Sequence, residues 1–176
     1  SPVAIADLDG DGVKEFIVGS MWQRDGHGAI GCYSAKDRKL LWERKYKGCI
    51  QSEPVLVDLN GDKVLDVIIT TWRGDHGIHA ISGKDGSHLW TFTTAGDDNS
   101  MGMYHGVALS GDEKTIFMAT CQGDVYALDT KGKQLWTRRY NDYLFSPITV
   151  ADVTGDGKEE LIFGGRSIYC LSAADG

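Results

Sequence analysis

Proline is scarce in this chain, with only Pro2, Pro54 and Pro147 among 176 residues. Set beside 23 glycines, that scarcity points to many tight turns rather than long helices. No Lys/Arg tract is present, so the usual electrostatic footprint of a nucleic-acid partner is missing. No apolar run approaches the roughly 18 residues that a membrane span requires. The four cysteines, Cys32, Cys49, Cys121 and Cys170, show neither CxxC nor Cys/His metal spacing. They read as small buried thiols, with disulfides as the alternative. His27, His76, His79, His88 and His105 supply imidazoles, but no HExxH spacing and no nucleophile elbow accompanies them. No signal peptide is visible, and the chain is expected to start inside a domain. Its length and 41% hydrophobic content suit one domain with a real core.

What the chain does have is an acidic loop written three times. Asp7-Leu-Asp9-Gly-Asp11-Gly-Val13-Lys-Glu15 is followed by Asp58-Leu-Asn60-Gly-Asp62-Lys-Val64-Leu-Asp66 and Asp152-Val-Thr154-Gly-Asp156-Gly-Lys158-Glu-Glu160. Side-chain oxygens recur at loop positions 1, 3, 5 and 9, with glycine at 4 and usually at 6. Calcium takes six to eight oxygens at short range, and alternate residues of a tight turn can supply them. The position-7 residues Val13, Val64 and Lys158 would add backbone carbonyls. An EF-hand does not fit, because position 12 is Val18, Ile69 or Phe163 where a bidentate Glu is needed. Ordinary soluble hairpin turns use the same residue types; recurrence in one phase of a repeat favours the ion. At their ligand positions the loops hold four, three and three carboxylates, and without these ten the net charge of −7 becomes +3. Three bound Ca²⁺ would bring −7 to −1. The charge count predicts the tightest site in the first loop and the weakest in the third.

A second periodicity runs alongside. Trp42, Trp90 and Trp136 each close a similar segment, 48 and then 46 residues apart, and each proline opens the strand before an acidic loop. A repeat of this length is that of propeller blades or a solenoid. Each unit reads as four short strands, the second being Phe16–Gly19, Val67–Thr70, Ile116–Ala119 or Leu161–Phe163. Apolar residues show no 3.6-residue period, so the expected fold is an all-β propeller of four-stranded antiparallel blades. About three and three-quarter blades are expected, near 1–51, 52–102, 103–145 and 146–176. Blade three carries Leu109-Ser-Gly-Asp-Glu-Lys-Thr115 in place of the acidic loop and is expected to hold no metal.

The acidic loops resemble the FG-GAP/VCBS repeats of integrin α-subunit propellers and bacterial surface proteins. The Ala-x-Asp…Gly-Lys-x-Leu-Trp segments resemble the PQQ-like, quinoprotein-type propeller repeat. The second resemblance implies that Trp42, Trp90 and Trp136 pack between adjacent blades. An incomplete ring would expose apolar blade faces. The expectation is therefore a segment of a longer propeller of seven or eight blades, or assembly from several copies.

In such propellers the acidic loops share one rim, and the resemblance places the remaining loops on the other. That second rim would receive Trp22, Arg24, Asp25 and His27 from blade one, and Trp72, Arg73, Asp75 and His76 from blade two. Tyr104, His105 and Tyr143 come from the connections between blades. These residue types are enriched at binding hot spots and also suit a sugar; equally, Trp22 and Trp72 could simply cap the blade interface. The reading is a calcium-stabilised, non-catalytic module that binds protein or carbohydrate. The alternative is a segment of an enzyme such as a calcium-dependent polysaccharide lyase or a quinoprotein. Millimolar calcium outside the cytosol implies an extracellular, cell-surface or periplasmic location.

Overall fold

The computed structural model describes residues 2–21, 26–96 and 101–176, and all its regular elements are β-strands. In the first sheet β1 (Val3–Ala6), β2 (Glu15–Gly19), β3 (His27–Ser34) and β4 (Leu40–Lys47) pair in sequence order. The second sheet repeats that order with β5 (Val55–Val57), β6 (Asp66–Thr70), β7 (Gly77–Ile81) and β8 (His88–Thr93). The third contains β9 (Ala108–Leu109), β10 (Thr115–Ala119), β11 (Asp124–Asp129) and β12 (Gln134–Arg139). The fourth has three strands, β13 (Thr149–Ala151), β14 (Glu160–Gly164) and β15 (Ile168–Ser172). Every named pairing is antiparallel, so each sheet is a simple meander.

The second strands begin at Glu15, Asp66, Thr115 and Glu160, one residue before the apolar runs that mark them in the sequence. Burial follows strand position. Strands β6 and β7 are buried at every residue, which explains their continuous apolar runs, whereas β4 and β12 are largely exposed. On those outer strands the tryptophan is the residue that turns inward.

The Leu-Trp pair of each outer strand sits at a β-bulge. Cys32 faces Trp42 but Tyr33 faces Leu40, leaving Leu41 unpaired. The same slip leaves out Leu89 beside Trp90 and Leu135 beside Trp136. A bulge bends the strand and re-aims the next side chain. Trp42 is thereby 6% exposed, and its Nε1 donates to the Gly83 carbonyl of the second sheet at 2.9 Å. Gly86, at φ +71°, receives the ring: a Cβ there would meet it at 2.7 Å. Trp136 makes the equivalent bond to the Ala173 carbonyl of the fourth sheet, at 3.2 Å.

The chain divides into two compact units, Ser1–Gly106 and Val107–Gly176. In the first, Leu8, Ile17, Ile30, Trp42, Ile69 and Ile81 belong to one core. The core of the second includes Phe117, Val125, Leu144, Leu161 and Phe163.

The cysteines are all free thiols, and three of them are buried. Burial, reinforced by Glu15 and Asp9, pushes the Cys32 thiol up to about 12, so it behaves as a small apolar side chain. Cys170 departs from the expected burial. It is exposed because β15 is the last strand of its sheet among the described residues, and no fourth strand covers it.

Replacing Trp42 by Ala should cost about 3–5 kcal/mol through lost packing. Trp42→Phe should add to its smaller packing loss roughly 1 kcal/mol for the missing bond to Gly83. Urea unfolding of the variants measures both, and a Trp42→Phe protein as stable as the parent would refute the assigned hydrogen bond.

Candidate metal loops and the opposite rim

The three acidic loops are built from one hydrogen-bond scheme. The position-1 carboxylate receives the amides of positions 4 and 6: Gly10 and Gly12 donate to Asp7 at 2.7 and 3.0 Å. Gly61 and Lys63 donate to Asp58 at 2.7 and 2.9 Å, and Gly155 and Gly157 to Asp152 at 2.7 and 2.8 Å. Position 3 receives the amide of position 5 in two loops, Asp11 to Asp9 at 3.1 Å and Asp62 to Asn60 at 2.8 Å. Position 5 receives the amide of position 7 in all three, Val13 to Asp11, Val64 to Asp62 and Lys158 to Asp156. The acid at position 9 reaches back to the amide of position 2: Leu8 to Glu15 at 2.8 Å, Leu59 to Asp66 at 3.1 Å, Val153 to Glu160 at 3.0 Å.

Folding this way brings like charges together. Oxygens of Asp7, Asp9 and Glu15 lie within 4.8 Å of one another. Glu15 is 3% exposed, and burial, then Asp9, Asp11 and Asp7, raise its pKa above the ordinary carboxylate value while the Leu8 amide opposes them. Asp66 is fully buried, and its Oδ1 has no hydrogen-bond partner. Burial, with Asp62 and Asp58 adding repulsion, lifts Asp66 from 3.8 to about 6 against the Leu59 amide. At the other end of that loop, amides of Lys63, Gly61 and Asn60 outweigh desolvation and lower Asp58. Asp152 is likewise lowered by the Gly157 and Gly155 amides. Converging hard oxygens, a raised buried acid and an orphaned oxygen are the donor set that a calcium ion satisfies. The fit is strongest in loops one and two. Among the described residues three acids converge in the first loop alone; the second contributes the orphaned Asp66 oxygen, and the third has Thr154 and Lys158 at positions 3 and 7.

The blade-three loop is closed differently. Ser110 Oγ donates to Asp112 and accepts from the Thr115 amide, and Gly111 donates to Glu159 of the fourth sheet at 2.7 Å.

A meander places the β2–β3 and inter-sheet connections at the end away from the acidic loops. There Trp72 pairs through its backbone with Cys49 and Gly102, and Arg73 lies 4.8 Å over its ring. Tyr104 meets Trp72 edge-on at 6.1 Å, and His105 meets Tyr104 at 5.3 Å. Asp75 accepts from Thr71 at 2.5 Å and Gly77 at 3.2 Å, and its other oxygen is 3.4 Å from His79 Nε2. These partners lower Asp75 despite its desolvation. His76, at φ 51°, is buried rather than displayed, with neither ring nitrogen hydrogen-bonded. Asp75 and His76 therefore build their own loop. His27 opens β3 and is exposed; Trp22, Arg24 and Asp25 lie outside the described residues. Tyr143 belongs to the second unit, beside Phe145 and Arg166. Arg139, Asn141 and Arg166 join it in a cleft formed by the continuous stretch 139–143 together with Gln122 and Arg166 from two other turns.

Two overlapping stretches, residues 16–139 and 74–176, match the profile of a PQQ-type family described as outer membrane protein assembly factor BamB. This chain belongs to that family. BamB from Moraxella catarrhalis has a similar structure, with a TM-score of 0.60 and 18% identity over 96% of this chain. The PilY1 C-terminal domain of Pseudomonas aeruginosa gives 0.68 at 12% identity over 94% of the chain. The quinohemoprotein alcohol dehydrogenase ADHIIG of Pseudomonas putida HK5 gives 0.65 at 14% identity over 91%. The chain spans 53%, 44% and 31% of those three structures respectively. Among curated proteins nothing matches. The likenesses establish the fold: the BamB-family chain is a β-propeller segment, the kind of module found in scaffolds and in enzymes. No helix among its described residues is long and apolar enough to cross a membrane.

The raised acids give a signed pH dependence. Asp66 is protonated in both states below 3.8; as pH rises through about 6, the folded state loses the stability that its retained proton conferred. With divalent cations removed, stability of the first unit should fall by about 3 kcal/mol across that window. Glu15 acts in the same direction. Melting curves in chelator should show the decline, and Asp66→Asn should remove most of it; a flat profile in the parent protein would contradict the assignment.

Proposed function

We propose that this chain is a calcium-stabilised propeller segment that serves as a non-catalytic binding and scaffold module outside the cytosol. The observation that carries the reading is the shared loop scheme, with Asp7, Asp9 and Glu15 converging and Asp66 Oδ1 buried without a partner. In sequence these loops resemble FG-GAP/VCBS-type repeats. Asp7, Asp9, Asp11 and Glu15 would hold the first ion, with the Val13 carbonyl. Asp58, Asn60, Asp62 and Asp66 would hold the second with Val64, and Asp152, Thr154, Asp156 and Glu160 a weaker third with Lys158. Calcium would supply the positive charge that turns repulsion among these acids into attraction.

A binding role is supported by where the polar side chains go. Asp75 is spent on holding its own loop and His76 is buried beneath it, while Arg73 and Tyr104 remain exposed at the rim. Aromatic and arginine side chains of this kind anchor protein or glycan ligands. Membership of a family described by an outer membrane assembly factor supports a periplasmic setting. Further blades, from the same polypeptide or another copy, would be the nearest partners, since the chain spans about half of the BamB structure it resembles.

Chelation should lower the melting temperature and added calcium should restore it, by about 2.7 kcal/mol at 100 times the dissociation constant. Asp11→Ala should reproduce most of the chelator effect at the first loop. Calcium titration of single-loop variants should rank loop one tightest and loop three weakest. Melting curves unchanged by EDTA would remove the metal from the reading.

A further inference from the structure

The second unit holds a cleft of about 580 Å³ walled by Gln122, Arg139, Tyr140, Asn141, Tyr143 and Arg166, with Asp142 at its base. A shallower apolar groove of about 510 Å³ shares Tyr143 and Arg166 and adds Phe145, Gly164 and Gly165. Each by itself lies within the size range of small-molecule sites.

The walls are held from behind. Asp142 receives the amides of Tyr143 and Arg166 at 2.7 and 2.9 Å and the Tyr169 hydroxyl at 2.8 Å. The Ser167 amide adds a longer bond at 3.4 Å. These donors lower Asp142 despite its desolvation, so it stays ionised and committed to the loops. Gly165 has to be glycine, because a Cβ would stand 2.6 Å from the Tyr143 carbonyl. The β14–β15 turn and the inter-sheet loop are thus locked together around the opening.

Several groups remain available to a ligand. Arg166 makes no ion pair with an acid among the described residues, and its guanidinium lies 5.7 Å from the Tyr143 ring centre. Arg139 is 64% exposed and gives one N–H to Asp124 at 2.6 Å, leaving the rest of its fork. Gln122 Oε1 is buried without a donor, which water or a ligand hydroxyl must supply. Tyr143 and Phe145 stack 6.0 Å apart and within 18° of parallel, 49% and 47% exposed, and add apolar ring surface to the groove.

We propose that this cleft binds a carboxylated sugar, a uronate residue of an acidic oligosaccharide. The proposal rests on the binding-module reading and narrows its ligand. A uronate presents in one rigid ring a carboxylate for the arginine forks, hydroxyls for Gln122 and Asn141, and C–H groups for the exposed Tyr143 and Phe145 rings. The planar polar lining favours this over an acidic peptide, whose carboxylate and apolar group sit on separate flexible side chains and lose more entropy on binding.

Calorimetric titration of the full chain in calcium tests the assignment with tetragalacturonate, its methyl ester and an acidic phenylalanine-containing tetrapeptide. Tetragalacturonate should bind saturably, and the uncharged ester at least about tenfold more weakly. Arg166→Gln and Asn141→Ala should each weaken tetragalacturonate with the melting curve unchanged, since both side chains are exposed. Absence of saturable binding at millimolar saccharide overturns the proposal, as does binding that survives both substitutions. Saturation by the tetrapeptide alone would also overturn it, transferring the cleft to a protein partner while leaving the binding module intact. Failure of the calcium reading shows separately, as melting insensitive to EDTA.

Discussion

A single carboxylate reaching across two backbone amides organises each acidic loop. Asp7, Asp58 and Asp152 turn the chain by satisfying amides that a tight turn would otherwise leave unpaired. The position-9 acid completes the closure and sets strand register. Glu15 lies opposite Ala6, Asp66 opposite Val57 and Glu160 opposite Ala151, so the loop always joins the last residue of one strand to the first of the next. Because the turn is held by acids, folding gathers negative charge, and burial of Glu15 and Asp66 makes that gathering unfavourable without a cation. The turn and the concentration of negative charge come from the same atoms.

The outer strands carry the complementary device. A bulge beside each Leu-Trp pair re-aims the indole, and in both units a glycine turn of the neighbouring sheet accepts it. Gly86 supplies the positive φ and the space for the Trp42 ring; Gly176 does the same beside Trp136. The Lys-Asp-Gly stretch that looks like a simple polar turn is thus the socket for the preceding blade. Acidic loops and tryptophan sockets lie at the same end of each meander, which leaves the other end to loops that vary.

Much of this was legible residue by residue. The second strands announced themselves as apolar runs to within one residue, because central strands are covered on both faces. Loop positions 1, 3, 5 and 9 were readable because local hydrogen bonds, which depend only on near neighbours, dictate them. His76 and Cys170 were not. A histidine beside Asp and Gly reads as a polar rim residue, yet it is buried against the connection that carries Gly102; a cysteine in an apolar strand reads as buried, yet its strand is the last of its sheet among the described residues. Both outcomes depend on which element lies alongside, and that information is absent from local pattern.

By itself the sequence determined the repeat, the all-β character, the acidic loops with their ladder of oxygens, and the tryptophans that mark each outer strand. These are properties of short segments, set by turn chemistry and alternation. Tertiary structure alone decided that Asp66 would lose water from both oxygens, and that Gln122 and Arg166 would meet the 139–143 stretch in one cleft. Desolvation and convergence are relations between distant residues, and only the packing of strands against one another creates them.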